Sequence, residues 1–131
     1  MKITADTNVL VRAFTEDHAG QSRAAQIALS KADMVALTIP TLCELVWVLR
    51  SYRIQSSDIA RTLRGLLNGA NIAVNRPSAE AGLAMLDAGG DFADGVIAYE
   101  GKWLGADTFV SFDKRAVRLM EAQGGSARLL P

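Results

Sequence analysis

Short apolar, β-prone segments alternate along this chain with stretches of helix length, and that alternation limits the fold more than any other feature. Residues 3–5, 34–38, 72–74, 108–112 and 127–130 read as strands. Between them, residues 9–14 begin a helix that 21–31 resumes or follows, and residues 40–53 place Leu42, Leu45, Val46 and Leu49 at helical spacing behind Pro40. Ser57 is expected to cap a helix whose face carries Ile59, Leu63, Leu66 and Leu67, and Ser78 to open one through Leu86. Gly89 and Gly90 stop that helix, Asp91 or Ala93 starts the next one through Leu104, and Asp113 caps a last helix to Gln123. Strands joined by helix-length crossovers pair in parallel, so the expected fold is α/β, a three-layer sandwich with a mainly parallel central sheet.

The 131 residues, half of them hydrophobic, suit one domain over 1–131, with neither repeats nor a linker to divide it. Fourteen basic residues balance fourteen acidic ones, so no global field draws in a polyanion, which must be met locally. A single cysteine, Cys43, allows no internal disulfide and fits a reducing compartment. Residues 1–6 reach an acid too soon for a secretory signal, and no apolar run is long enough to span a bilayer. A cytoplasmic protein without a membrane partner is expected.

The chemistry lies in the acids at the junctions. Asp6 follows the first strand, Glu44 lies early in the helix after the second, and Asp113 follows the fourth. Asp91 and Asp94, three residues apart at a helix start, share one turn. In parallel α/β sheets the functional groove lies outside the carboxyl ends of the strands. Packed together, such carboxylates repel and call for a cation, and hard divalent ions take oxygen ligands. Each acid also has a plainer reading. Thr41-x-x-Glu44 matches a capping box, and Asp6, Asp91 and Asp113 match N-caps. Against capping alone, Glu44 stands in an otherwise apolar helix, where a charge is costly without a partner.

Four blocks carry a resemblance: Asp6-Thr7-Asn8; Thr41-Leu42-Cys43-Glu44-Leu45; Asp91-Phe92-Ala93-Asp94-Gly95-Val96-Ile97-Ala98; and Ser111-Phe112-Asp113-Lys114-Arg115. In this order and spacing the chain resembles PIN-domain ribonucleases, and among them the VapC-type toxins of bacterial toxin-antitoxin pairs. The resemblance implies that Asp6, Glu44, Asp94 and Asp113 hold Mg²⁺ or Mn²⁺, with Asp91 in support and Asn8 and Ser111 orienting carboxylates, water or substrate. It implies metal-dependent hydrolysis of RNA, a cognate antitoxin protein and a homodimer. Arg50, Arg53, Lys114 and Arg115 flank the acidic blocks and are candidate RNA phosphate contacts.

Other chemistries find less support. His18 is the sole histidine, expected in a loop, so paired-histidine catalysis is excluded by count. Cys43 lies in an apolar helix, where thiols are inert as a rule. Gly65 and Gly69 lack the Lys-Ser/Thr of a phosphate loop, and Asn8 stands where an aspartyl-phosphate phosphatase would want a second aspartate. The remaining rival is a non-catalytic nucleic-acid or protein-binding module on the same fold, its acids serving as caps.

Overall fold

The computed structural model describes all residues, 1–131, as seven helices and five strands. Contacts gather in two compact units, Met1–Asn75 and Arg76–Pro131. Every strand pair is parallel, as the alternation of the sequence predicts, with three strands hydrogen-bonded in one unit and two in the other. The architecture is α/β, and no helix is long and apolar enough to cross a membrane.

The first unit runs β1 (Lys2–Thr4), α1 (Thr7–Phe14), α2 (Ala19–Lys31), β2 (Met34–Leu37), α3 (Ile39–Ser51), α4 (Ser56–Leu67) and β3 (Ile72–Val74). Its strands lie in the order β1-β2-β3, with Ile3 opposite Val35 and Val35 opposite Ile72. Val35 and Leu37 on alternate positions of the central strand are buried, along with Leu10 and Val11 of α1. Asn71 ties strand to helix, its Nδ2 donating to the Leu29 and Ala32 carbonyls at the end of α2 at 2.9 and 3.0 Å.

In α3 the four apolar positions Leu42, Leu45, Val46 and Leu49 are all buried, and Pro40 lies in the first turn. The helix starts ahead of Thr41, with Thr38 as N-cap, which overturns the capping-box reading of Thr41 and Glu44. Pro40 needs no donor in a first turn, so the helix can begin before it. Two other caps differ as well. Gln55 precedes α4 and makes no side-chain cap bond, so Ser57 lies inside the helix, not at its cap. His18 is not a loop residue but the N-cap of α2, where its Nδ1 accepts from the Gln21 backbone N–H at 3.1 Å.

The α1–α2 turn is held to the end of α3 through Asp17. Its carboxylate accepts from Arg12 Nη1 at 3.0 Å, Thr15 Oγ1 at 2.9 Å and Tyr52 OH at 3.0 Å. The Thr15 and Tyr52 hydroxyls, with Arg12 adding to them, hold the Asp17 carboxyl below its usual range. A depressed carboxyl contributes stability above its unfolded pKa, and that contribution disappears as pH falls through its folded value. Tyr52→Phe is therefore expected to lower the melting temperature at pH 7 and to matter progressively less in acid. Thermal melts of both proteins across that range check it, and a constant gap would show that Asp17 is not the group concerned.

The second unit runs α5 (Arg76–Asp87), α6 (Phe92–Trp103), β4 (Thr108–Ser111), α7 (Lys114–Ala122) and β5 (Ser126–Leu129). Helix α5 begins two residues before Ser78, which is buried in its first turn and does not open it; Pro77 is the residue suited to that turn. Gly89 and Gly124 take φ of 90° and 84° where α5 and α7 stop. Helix α7 lies against β4 and β5, while α5 and α6 pack closely across Gly82 and Gly95. Phe92 is fully buried with its ring over Gly82, and a Cβ on Gly95 would collide with the Ala81 carbonyl oxygen.

Candidate functional site

In the first unit, β1 leads through Ala5 into α1, and Asp6 is the N-cap. Its Oδ1 accepts from the Val9 N–H at 3.0 Å, so the capping role is real and engages one oxygen of the carboxylate. Glu44 follows β2 by way of the first turn of α3. It is exposed, which corrects the expectation that its charge is buried in an apolar helix: the apolar side chains of α3 face inward and Glu44 is on the other face. Its Oε2 accepts from Thr7 Oγ1 at 3.3 Å. That bond joins the Asp6-Thr7-Asn8 block to the Glu44 block. Asn8 is exposed, and neither bond formed by its acidic neighbours involves its amide.

In the second unit, Asp91 caps α6, its Oδ1 accepting from the Ala93 N–H at 3.2 Å, and Asp94 follows in the first turn. This junction joins helix to helix, whereas those of Asp6, Glu44 and Asp113 follow strands. Asp113 leaves β4 and caps α7 through Oδ1, which accepts from the Arg115 and Ala116 N–H groups at 2.9 and 3.1 Å. Ser111 Oγ accepts from the Asp113 backbone N–H at 3.0 Å, so this hydroxyl holds the turn that presents the carboxylate.

Asp94 is the electrostatic centre of this unit. Burial pushes its carboxyl above the usual range, and the negative charges of Asp91 and Asp113 push it further. Two acids at the start of α6 and one at the start of α7 thus share one field. No three His, Cys, Asp or Glu side chains form a ready-made metal cage. The donors present are carboxylate oxygens, the chemistry that Mg²⁺ and Mn²⁺ prefer.

The basic candidates separate. Lys114 and Arg115 are exposed in the first turn of α7, directly after Asp113. Arg115 Nη2 reaches across to Gly89, lying 3.0 Å from where a Cβ there would stand. Arg50 and Arg53 are at the far end of α3, where Arg50 Nη2 donates to Ser56 Oγ at 3.4 Å and Arg53 takes a left-handed φ of 61°. Six residues of helix put Arg50 roughly 9 Å along the axis from Glu44. Sequence reasoning missed Thr7, because its relevance lies in its contact with Glu44 on another helix. It also missed Arg12, although the i,i+4 spacing from Asn8 places both on one face of α1.

No curated protein matches the chain significantly. The model of the PIN domain family matches residues 3–121, a range that includes all four blocks, nearly all of the first unit and the second unit as far as α7. PIN domains are generally nucleases. With its parallel strands, its acids at helix starts and this match over most of its length, the chain belongs to the PIN domain family.

Proposed function

We propose that this protein is a metal-dependent endoribonuclease, the toxin of a type II toxin-antitoxin pair acting in the cytoplasm. The observation that carries the reading is Asp94, half-buried and disfavoured as an anion by Asp91 and Asp113. A carboxylate disfavoured as an anion by burial and by neighbouring like charges is stabilised by a cation, and the donors offered are carboxylate oxygens.

In this reading Asp6, Glu44, Asp94 and Asp113 hold Mg²⁺ or Mn²⁺, with Asp91 supporting Asp94. Asp6 and Asp113 each use Oδ1 for a helix cap, so the cap fixes the carboxylate and an ion would be held by an oxygen not taken by the cap. Ser111 steadies Asp113 and Thr7 steadies Glu44, while Asn8 orients water or substrate. Such an ion, when bound, supplies a water of lowered pKa and offsets charge on the phosphate. Hydrolysis at that site would form a bond from a water oxygen to phosphorus and break the bond to the 3′ oxygen, which would leave carrying a proton. Lys114 and Arg115 contact the neighbouring phosphates, with Arg50 and Arg53 contacting more distant ones.

Trp47, Trp103 and Leu104 are 74%, 75% and 90% exposed, apolar surface of the kind that a protein partner covers. It supports a homodimer and an antitoxin as partners. Protein freed of any partner is expected to cut RNA in Mg²⁺ and to stop in EDTA, and Asp6→Asn to be inactive in both. RNA left equally intact by wild type and variant under every condition would instead mark a non-catalytic binding module.

A further inference from the structure

Helix α1 carries Asp6 at its N-cap and α3 carries Glu44 just past its first turn, so the spacing of these two acids follows from how the helices lie together. The helices are in contact, with Leu10 and Val11 of α1 and Leu42, Leu45 and Val46 of α3 buried. Apolar contact holds helices close, but it is non-directional and leaves them able to slide. Register needs directional bonds. At the acid end there is one, from Thr7 Oγ1 to Glu44 Oε2, and at 3.3 Å it is long for a hydroxyl donor and weak by itself.

A second tie joins the other ends of the same two helices. Asp17, in the turn after α1, uses its two oxygens in different directions. Its Oδ1 accepts from Arg12 Nη1 of α1 and from Oγ1 of Thr15, the C-cap of α1, whereas its Oδ2 accepts from the hydroxyl of Tyr52, the C-cap of α3. Thr15 is buried and fixed in turn, its backbone N–H donating to the Val11 carbonyl and its own carbonyl accepting from Ser22 Oγ of α2. Thr7 and Arg12 stand roughly 8 Å apart along α1, and Glu44 and Tyr52 roughly 12 Å apart along α3, at 1.5 Å per residue. Two directional ties at that separation fix a pair of helices that a single tie would leave free to pivot.

We propose that Asp17 and Tyr52 are positioning residues for the metal acids of this unit: they hold α1 in register with α3 and so fix Glu44 relative to Asp6. The proposal rests on the metal-dependent nuclease reading for the purpose of that spacing. Mg²⁺ demands near-ideal octahedral geometry, and a site is held productively only within about 0.5 Å, so a small slip of one helix is felt in metal affinity. Asp17 and Tyr52 act on that affinity and not on the binding of RNA.

Tyr52→Phe removes the hydroxyl alone, Asp17→Ala removes the whole tie, and Asp17→Asn keeps an acceptor and should fall between wild type and Asp17→Ala. Asn71→Ala is the control for lost stability, because its two hydrogen bonds belong to the same unit and go to α2. Circular dichroism checks that each variant keeps the fold. In EDTA, the Thr7 methyl and Glu44 carboxylate resonances should move in Tyr52→Phe and Asp17→Ala and stay in place in Asn71→Ala. In Mn²⁺ titrations followed by electron paramagnetic resonance, Kd should rise roughly tenfold in Tyr52→Phe and Asp17→Ala, as for a lost supporting partner of a metal ligand. The double variant should be no weaker than Asp17→Ala, since both changes break one tie. At saturating Mn²⁺ the KM for RNA should match that of wild type. Unmoved Thr7 and Glu44 resonances, an unchanged Mn²⁺ Kd, or an equal rise in Asn71→Ala would overturn the proposal. A wild type that binds no Mn²⁺ would instead remove the nuclease reading, and the metal-free resonances would still decide whether the tie sets the register.

Discussion

Asp94→Asn is expected to reduce metal-dependent RNA cleavage by roughly a hundredfold or more, because even groups that only support a metal ligand are worth about 10- to 100-fold. The same substitution should stabilise the metal-free protein. Burial, then Asp91, then Asp113 raise the Asp94 carboxyl, so its ionisation opposes folding. The sign follows from linkage. A raised acid favours the fold while protonated, and that advantage is lost as pH rises through its folded value. In EDTA the variant and wild type should therefore melt together in strong acid and separate as pH rises to neutrality, the variant melting higher. Adding Mg²⁺ should raise the wild-type melting temperature and leave the variant unmoved. A variant that melts below wild type at neutral pH in EDTA would show that the Asp94 charge is favourable without metal, and the electrostatic argument for the site would fail.

Gly95→Ala should destabilise the second unit, against the usual direction of a glycine-to-alanine change in a helix. In an ordinary exposed helix this change is favourable by up to about 1 kcal/mol, since glycine loses more backbone freedom on folding. Here the added Cβ would meet the Ala81 carbonyl oxygen and come within 2.8 Å of Met85 Cβ. Backbone cannot rotate away as a side chain can, so α5 and α6 must move apart. Overpacking of this kind costs about 1–3 kcal/mol, and more where the neighbour is rigid. Urea melts should show a net loss near the upper end of that range. Gly65→Ala provides the contrast, because nothing lies within 4 Å of its added Cβ and it should be neutral or stabilising. Asp94 and Gly95 are adjacent, so displacement of α6 should also impair cleavage, and to a lesser degree than loss of the carboxylate.

Much of this arrangement was legible in the residues. Asp6, Asp91 and Asp113 read as N-caps and are N-caps, each accepting backbone N–H bonds within three residues. The reading was legible because capping depends on groups a turn apart along the chain. The resemblance of four blocks to PIN domains came from the same local patterns in their order, and the family match over residues 3–121 agrees with it. Where local cues competed, they were less decisive. Thr41 and Glu44 met the pattern of a capping box, yet Pro40 let α3 begin earlier and left Glu44 on an exposed face.

The alternation of apolar segments with helix-length stretches, and the placing of acids at helix starts, were determined by the sequence alone, because both follow from interactions within about a turn of the chain. Tertiary structure decided what those acids and helices meet. Thr7 against Glu44, Asp94 in the field of Asp113, Arg12 held by way of Asp17 to Tyr52, and Gly95 against the Ala81 carbonyl each join different elements or turns. Such pairings depend on which helix faces pack and how closely the backbones approach, and no periodicity along one segment encodes the distance to another.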